Sequence, residues 1–337
     1  MVDIFTTIIL LAISVFIIYK SSDWLIRYAV TLAKMLGVST FVIGFILVAI
    51  STSLPEIMVS IFATLEGEAN LAVADVLGSN LFNLTVVIGG AILVAGTIHV
   101  KRKETPSLIE YLFITSVITI IFFSQSYLNV IHGAILIVLG IYMMGKLYKG
   151  GRVSAEVFED SEILILPKKK KKYKNAVFKF FQKQRLSMVI LKFSISVALL
   201  LASSRMLVDS SINLATLLGV STIFIGATIV AAGTSIPELS VTITAVKKKQ
   251  YALAMGDIVG SAVTNITIVL GIIALISTTT LNVVPLAGMV PFIILSTMLV
   301  WYYFSEKGKI TRNEAIILLL IYVVFILEQL GIVAIFG

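Results

Sequence analysis

The chain has 337 residues, 58% of them hydrophobic and only 13% charged, with a net charge of +8. A soluble domain carries about a quarter charged residues, so this composition excludes one. It has no cysteine and two histidines, His99 and His132, read as helix-end or loop residues; disulfides and thiolate sites are excluded, and any bound metal must be held by oxygen.

The pattern is that of an all-α polytopic membrane protein. A spanning helix needs roughly 20 apolar residues. The first segment, 4–33, is too long for a removable leader and has no small-residue cleavage site after a short apolar core, so it reads as a retained helix. The second, 39–64, carries "STSLPEIMVS" at 51–60. Pro55 has no N–H and its ring clashes with the carbonyl four residues back. The Ser51 carbonyl is thereby freed, which a bilayer tolerates only inside protein or along a cavity. Thr52, Glu56 and Ser60 follow at helical spacing on one face. The third segment, 70–97, repeats that device with Asp75, Ser79 and Asn83, and Gly78 beside them allows a close helix approach.

Segments four and five span 107–125 and 128–147. The loop 148–185 turns from acidic to basic and reads as a solvated cytoplasmic linker, too short for a folded sensing domain. Its 168–185 portion, with Phe178, Phe180 and Phe181 among lysines, has an interfacial helix on anionic lipid as the alternative. Segments at 186–217, 221–246, 251–278, 284–304 and 311–335 bring the total to ten. The organisation is thus a five-helix unit 1–147, a linker 148–185 and a second five-helix unit 186–337.

Basic residues follow every odd-numbered segment: Lys101, Arg102 and Lys103, then the long linker, Lys247 to Lys249, and Lys307, Lys309 and Arg312. Even-numbered exits are acidic or neutral, as at Glu66 and Glu68. The positive charge is therefore a topology signal and not a nucleic-acid surface, and it puts both termini of a multi-pass cell-membrane protein outside the cytoplasm. Asp23 and Arg205 lie near helix ends and read as interfacial.

Shifted by 182 positions, residues 51–89 align with 233–271 without a gap, matching Thr52/Thr234, Ser53/Ser235, Pro55/Pro237, Glu56/Glu238, Asp75/Asp257, Gly78/Gly260, Ser79/Ser261 and Asn83/Asn265. Agreement at polar positions marks a duplication. An odd number of segments separates the copies, which inverts one relative to the other and points to a transporter with its site between the halves. In the second half Pro237 frees the Gly233 carbonyl. A carboxylate at the centre of a membrane helix costs about 2.5–3.5 kcal/mol, so Glu56 and Glu238 call for a cation or a proton. Two carboxylates with hydroxyls, amide oxygens and freed carbonyls match the six to eight oxygens calcium takes better than magnesium's strict octahedron.

"TSLPE" with "GSNLFN", repeated as "TSIPE" with "GSAVTN", resembles the two alpha-repeats of the sodium/calcium exchanger family of the cation/calcium antiporter superfamily. The resemblance implies alternating-access exchange of calcium for sodium by a monomer without a cofactor. As ligands it implies Thr52, Ser53, Glu56, Ser79 and Asn83 from one half and Thr234, Ser235, Glu238, Ser261 and Asn265 from the other, with the Ser51 and Gly233 carbonyls. Asn265 stands where potassium-dependent relatives carry Asp, which favours potassium independence. Asp75 and Asp257 depart from the family pattern, which has Asn there, and are read as access or coupling residues. Proton/calcium antiport is the alternative. An intramembrane aspartyl protease is remote, since "GD" at 256–257 is preceded by Ala254 where that chemistry needs glycine.

Overall fold

The structure, a computed structural model, describes residues 3–35, 52–99, 106–123, 129–157, 176–247, 251–277, 286–304 and 309–333. It is overwhelmingly helical. In the first half α1 spans Ile4–Met35, α2 Leu54–Leu65, α3 Ala69–Phe82, α4 Ile88–Ala95, α5 Pro106–Phe123 and α6 Val130–Val157. In the second, α7 spans Ala176–Leu218, α8 Thr222–Ile225, α9 Ala231–Thr234, α10 Ile236–Lys247, α11 Tyr251–Val263, α12 Leu270–Ile276, α13 Met289–Tyr302 and α14 Arg312–Gln329. Among the described residues four stretches are long and apolar enough to cross a bilayer: Ile4–Leu25, Ala69–Ala95, Leu186–Leu218 and Ala254–Ile276. A fifth, Thr222–Thr234 with Ile236–Lys247, is bent by 41°.

Burial sorts these helices into layers. The Ala69–Ala95 and Ala254–Ile276 spans are each 83% buried and form the centre, whereas Ile4–Leu25 and Leu186–Leu218 are 22% buried and lie side by side at the periphery. Helices apolar on all sides belong in a core or in lipid. The exposed Phe5, Phe16, Ile131, Val138 and Leu191 are lipid-facing positions in this reading.

The central helices are not regular. Wide π-helical turns occupy Asn83–Val87, Gly226–Val230 and Thr264–Val269. Each contains a threonine whose hydroxyl donates back to the carbonyl four residues earlier: Thr85 to Leu81, Thr228 to Phe224 and Thr267 to Val263. Such back-bonding loosens a helix, and π-turns concentrate at functional sites. The halves meet closely at glycine. A Cβ on Gly226 would lie 2.7 Å from the Leu71 carbonyl oxygen, and one on Gly78 would lie inside the Ala227 carbonyl.

Three features extend the sequence reading. Thr97–His99 and Lys309–Thr311 pair as a short antiparallel ribbon, Ile98 opposite Ile310, in an otherwise all-α fold. The ribbon leads into α14, where Thr311 and Glu314 form a capping box. The long linker is partly helical, since α6 runs on to Val157 and α7 starts at Ala176; residues 158–175 lie outside the described set. Arg205, expected at an interface, bonds from α7 to Glu66 in the α2–α3 turn at 2.5 Å, while Thr222 donates to Glu68 at 3.0 Å.

Candidate ion site

Both halves place the same backbone turn just before the proline. Ser53 (φ −81°, ψ 4°) precedes α2 and Ser235 (φ −86°, ψ 7°) precedes α10. This shared bridge-region geometry comes two residues before each proline, and in the second half it separates α9 from α10. Glu56 and Glu238 therefore sit in the first turns of α2 and α10, where unpaired N–H groups and the helix dipole favour negative charge. Gly233 falls in α9 before the break, and Pro237 offers its carbonyl no N–H. Ser51 lies outside the described residues.

Around these elbows the halves interlock through polar side chains. Thr52 Oγ1 donates to Asp257 Oδ1 at 3.1 Å and lies 3.4 Å from Ser261 Oγ. In the mirrored arrangement Thr234 Oγ1 donates to Asp75 Oδ1 at 3.1 Å and lies 3.3 Å from Ser79 Oγ. Ser235 donates to Glu56 Oε1 and Ser261 to Glu238 Oε1, both at 3.2 Å. Every one of these residues is buried. Because the hydroxyls point their protons at carboxylates, their lone pairs remain for a cation.

Many buried polar atoms of these helices have no protein partner. Glu56 Oε2, Glu238 Oε2, Asp75 Oδ2, Ser53 Oγ and both amide atoms of Asn83 and Asn265 are buried without a hydrogen-bond partner in the protein. Unmatched buried polar atoms in such number are rare and demand an explanation. Among the described residues no three carboxylate or histidine groups converge closely enough to hold a metal by themselves. Ion binding here would depend on hydroxyl, amide and backbone oxygens completing the shell.

The structure thus links Thr52 to Asp257 and Ser261, Thr234 to Asp75 and Ser79, Ser235 to Glu56 and Ser261 to Glu238, while Ser53, Asn83 and Asn265 are buried with no side-chain hydrogen bond to these groups. Asp75 and Asp257 lie buried at the seam between the halves, each bonded by a threonine of the opposite copy. One participant escaped the sequence reading: Thr242 Oγ1 donates to Asp257 Oδ2 at 3.4 Å. The repeat carries the signal, for Thr242 aligns with Ser60, which shares a helix face with Thr52 and Glu56.

Interrupted helices that carry buried acids and hydroxyls at the middle of a membrane bundle define a secondary ion transporter. Residues 6–146 and 188–331 match the sequence profile of the sodium/calcium exchanger protein family, and the chain belongs to that family, a family of transporters and not enzymes. The sodium/calcium exchanger MaX1 of Methanosarcina acetivorans is 28% identical, over 94% of this chain and 97% of its own. The inner membrane protein YrbG of Escherichia coli is 31% identical, over 80% of this chain and 79% of its own. Among solved structures the sodium–calcium exchanger NCX_Mj has the same fold, with a TM-score of 0.63 at 23% identity over 96% of this chain and 99% of its own.

Proposed function

We propose that the protein exchanges calcium for sodium across the cell membrane by alternating access, as a monomer of ten spans in two inverted five-helix repeats. The observation that carries this reading is the buried seam, where carboxylates of each half face hydroxyls of the other and several oxygens have no protein partner. The cargo ions sit among Thr52, Ser53, Glu56, Ser79 and Asn83 and their counterparts Thr234, Ser235, Glu238, Ser261 and Asn265, joined by the carbonyls of Ser51 and Gly233.

The geometry supplies a reason for exchange without leak. An empty, closed site would leave unmatched carboxylates in a dry interior, at several kcal/mol per ion. The helices can therefore close only over a loaded site, so the return journey needs a second cargo. Calcium satisfies the oxygens from one side and sodium ions from the other. Since the ligands come from both halves, small movements of one half against the other open the site to either face.

The test is uptake of radiolabelled calcium into proteoliposomes under imposed gradients. An outward sodium gradient should drive uptake, and dissipating it should stop uptake. Proton exchange is the second reading, favoured by Asp75 and Asp257 in place of asparagine; uptake driven by a proton gradient in sodium-free buffer would select it.

The orientation is tested separately. The chain has no cysteine, so a single cysteine at Gly67 should label from outside intact cells and one at Gly150 should not. Reversed labelling would invert the assigned topology, including the cytoplasmic placement of the linker and any contact of its basic 168–185 portion with anionic lipid.

A further inference from the structure

The two hairpins, α2–α3 and α10–α11, differ in how far they are zipped. Ser60 precedes the turn at Gly67 by seven residues and Asp75 follows it by eight, so the turn sets them opposite one another; Glu56 and Ser79 face each other one helical turn further on. In the second hairpin both corresponding rungs are made, Thr242 to Asp257 Oδ2 at 3.4 Å and Ser261 to Glu238 Oε1 at 3.2 Å.

In the first hairpin neither rung is made. Ser79 turns instead to Asp75 Oδ1, the Ala231 carbonyl and Thr234, and Glu56 Oε1 accepts from Ser235. Glu56 Oε2, Ser60 Oγ and Asp75 Oδ2 are left without protein partners, on residues with no solvent exposure. A helical hydroxyl usually returns to the carbonyl four residues back, as Thr64 does to Ser60 at 2.7 Å; the Ser60 hydroxyl has no such bond.

We propose that the first hairpin holds a cation site of its own, for a monovalent ion of sodium size, formed by Glu56 Oε2, Ser60 Oγ and Asp75 Oδ2. A bridging water or a proton held between the two carboxylates would also satisfy these positions; a cation satisfies all three oxygens at once and offsets the charge of both carboxylates when they are ionised. In the second hairpin the corresponding oxygens are not all left over: Thr242 bonds to Asp257 Oδ2, and only Glu238 Oε2 lacks a protein partner. The identity of the ion rests on the sodium-exchange reading above.

The test is equilibrium binding of radiolabelled sodium and, in parallel, radiolabelled calcium to the purified full chain in lipid nanodiscs. Asp75→Asn should bind one sodium ion fewer than the parent at saturation. Ser60→Ala, a change too small to threaten folding, should weaken one sodium ion by about fivefold or more and carries the test if Asp75→Asn does not fold. If the parent binds both ions and Ser60→Ala keeps full sodium count and affinity, the site is refuted and the gap is bridged by water or a proton. A parent that binds neither ion would remove the exchange reading itself, and this site with it.

Discussion

Calcium uptake into proteoliposomes should fall by at least about 100-fold on Glu238→Gln, and by a comparable factor on Glu56→Gln. The amide keeps the shape of the side chain and one oxygen but removes a charge and the option of bidentate ligation, so the loss isolates electrostatics from packing. Both carboxylates are fully buried in the first turn of a helix, and each has one oxygen bonded by a serine and one without a partner. Their serines differ in origin: Ser235 reaches Glu56 from the opposite half, whereas Ser261 reaches Glu238 from its own. If ion ligation dominates, that difference should matter little and the two losses should match. Near-parent uptake by Glu56→Gln, with protein present in the membrane at parent levels, would take Glu56 out of the site.

The elements that the sequence made legible are those written in two copies. Paired prolines marked the helix breaks, and Ser53 and Ser235 share one backbone geometry before them. Helical spacing put Asp75 and Ser79 on a common face, and the hydroxyl of Ser79 lies 3.4 Å from Asp75 Oδ1. Spacing within one helix, however, says nothing about what comes across from another. The crossed bonds Thr52 to Asp257 and Thr234 to Asp75 are contacts between distant segments. The π-turns at Asn83–Val87 and Thr264–Val269 likewise depend on how neighbouring helices and threonine hydroxyls share carbonyls, and apolar periodicity carries no trace of them. The ribbon joining Thr97–His99 to Lys309–Thr311 pairs short segments far apart in the chain, below the length at which alternation can be read. Asymmetry was hidden for the opposite reason: Ser60 and Thr242 are chemically similar in sequence, and only packing decides that one hydroxyl bonds its aspartate and the other does not.

The second large effect is expected from one methyl group. Gly78→Ala should lower the melting temperature of the detergent-solubilised protein sharply and abolish transport, while Gly90→Ala should leave melting unchanged or raise it slightly. Gly78 lies in α3 one residue before Ser79, against the π-helical Gly226–Val230 segment that leads into α9 and the Ser235 break. A Cβ there would overlap the carbonyl, Cα and carbonyl oxygen of Ala227, all backbone atoms, so no side-chain rotation can relieve it. The helices must part instead, and overpacking of a tight core costs about 1–3 kcal/mol or more. Parting them also pulls Ser79 from Thr234 and Asp75 from the same hydroxyl, contacts of 3.3 and 3.1 Å, which leaves a buried aspartate without its cross-half donor. Removing one partner of a buried charge adds several kcal/mol in the same direction. At Gly90, by contrast, the nearest atom to a new Cβ is Leu239 Cδ1 at 3.8 Å, an ordinary contact, and alanine in a helix interior gains about 0.5–1 kcal/mol over glycine. Equal melting of the two variants would mean that the halves do not rely on the Gly78 crossing to hold the seam together.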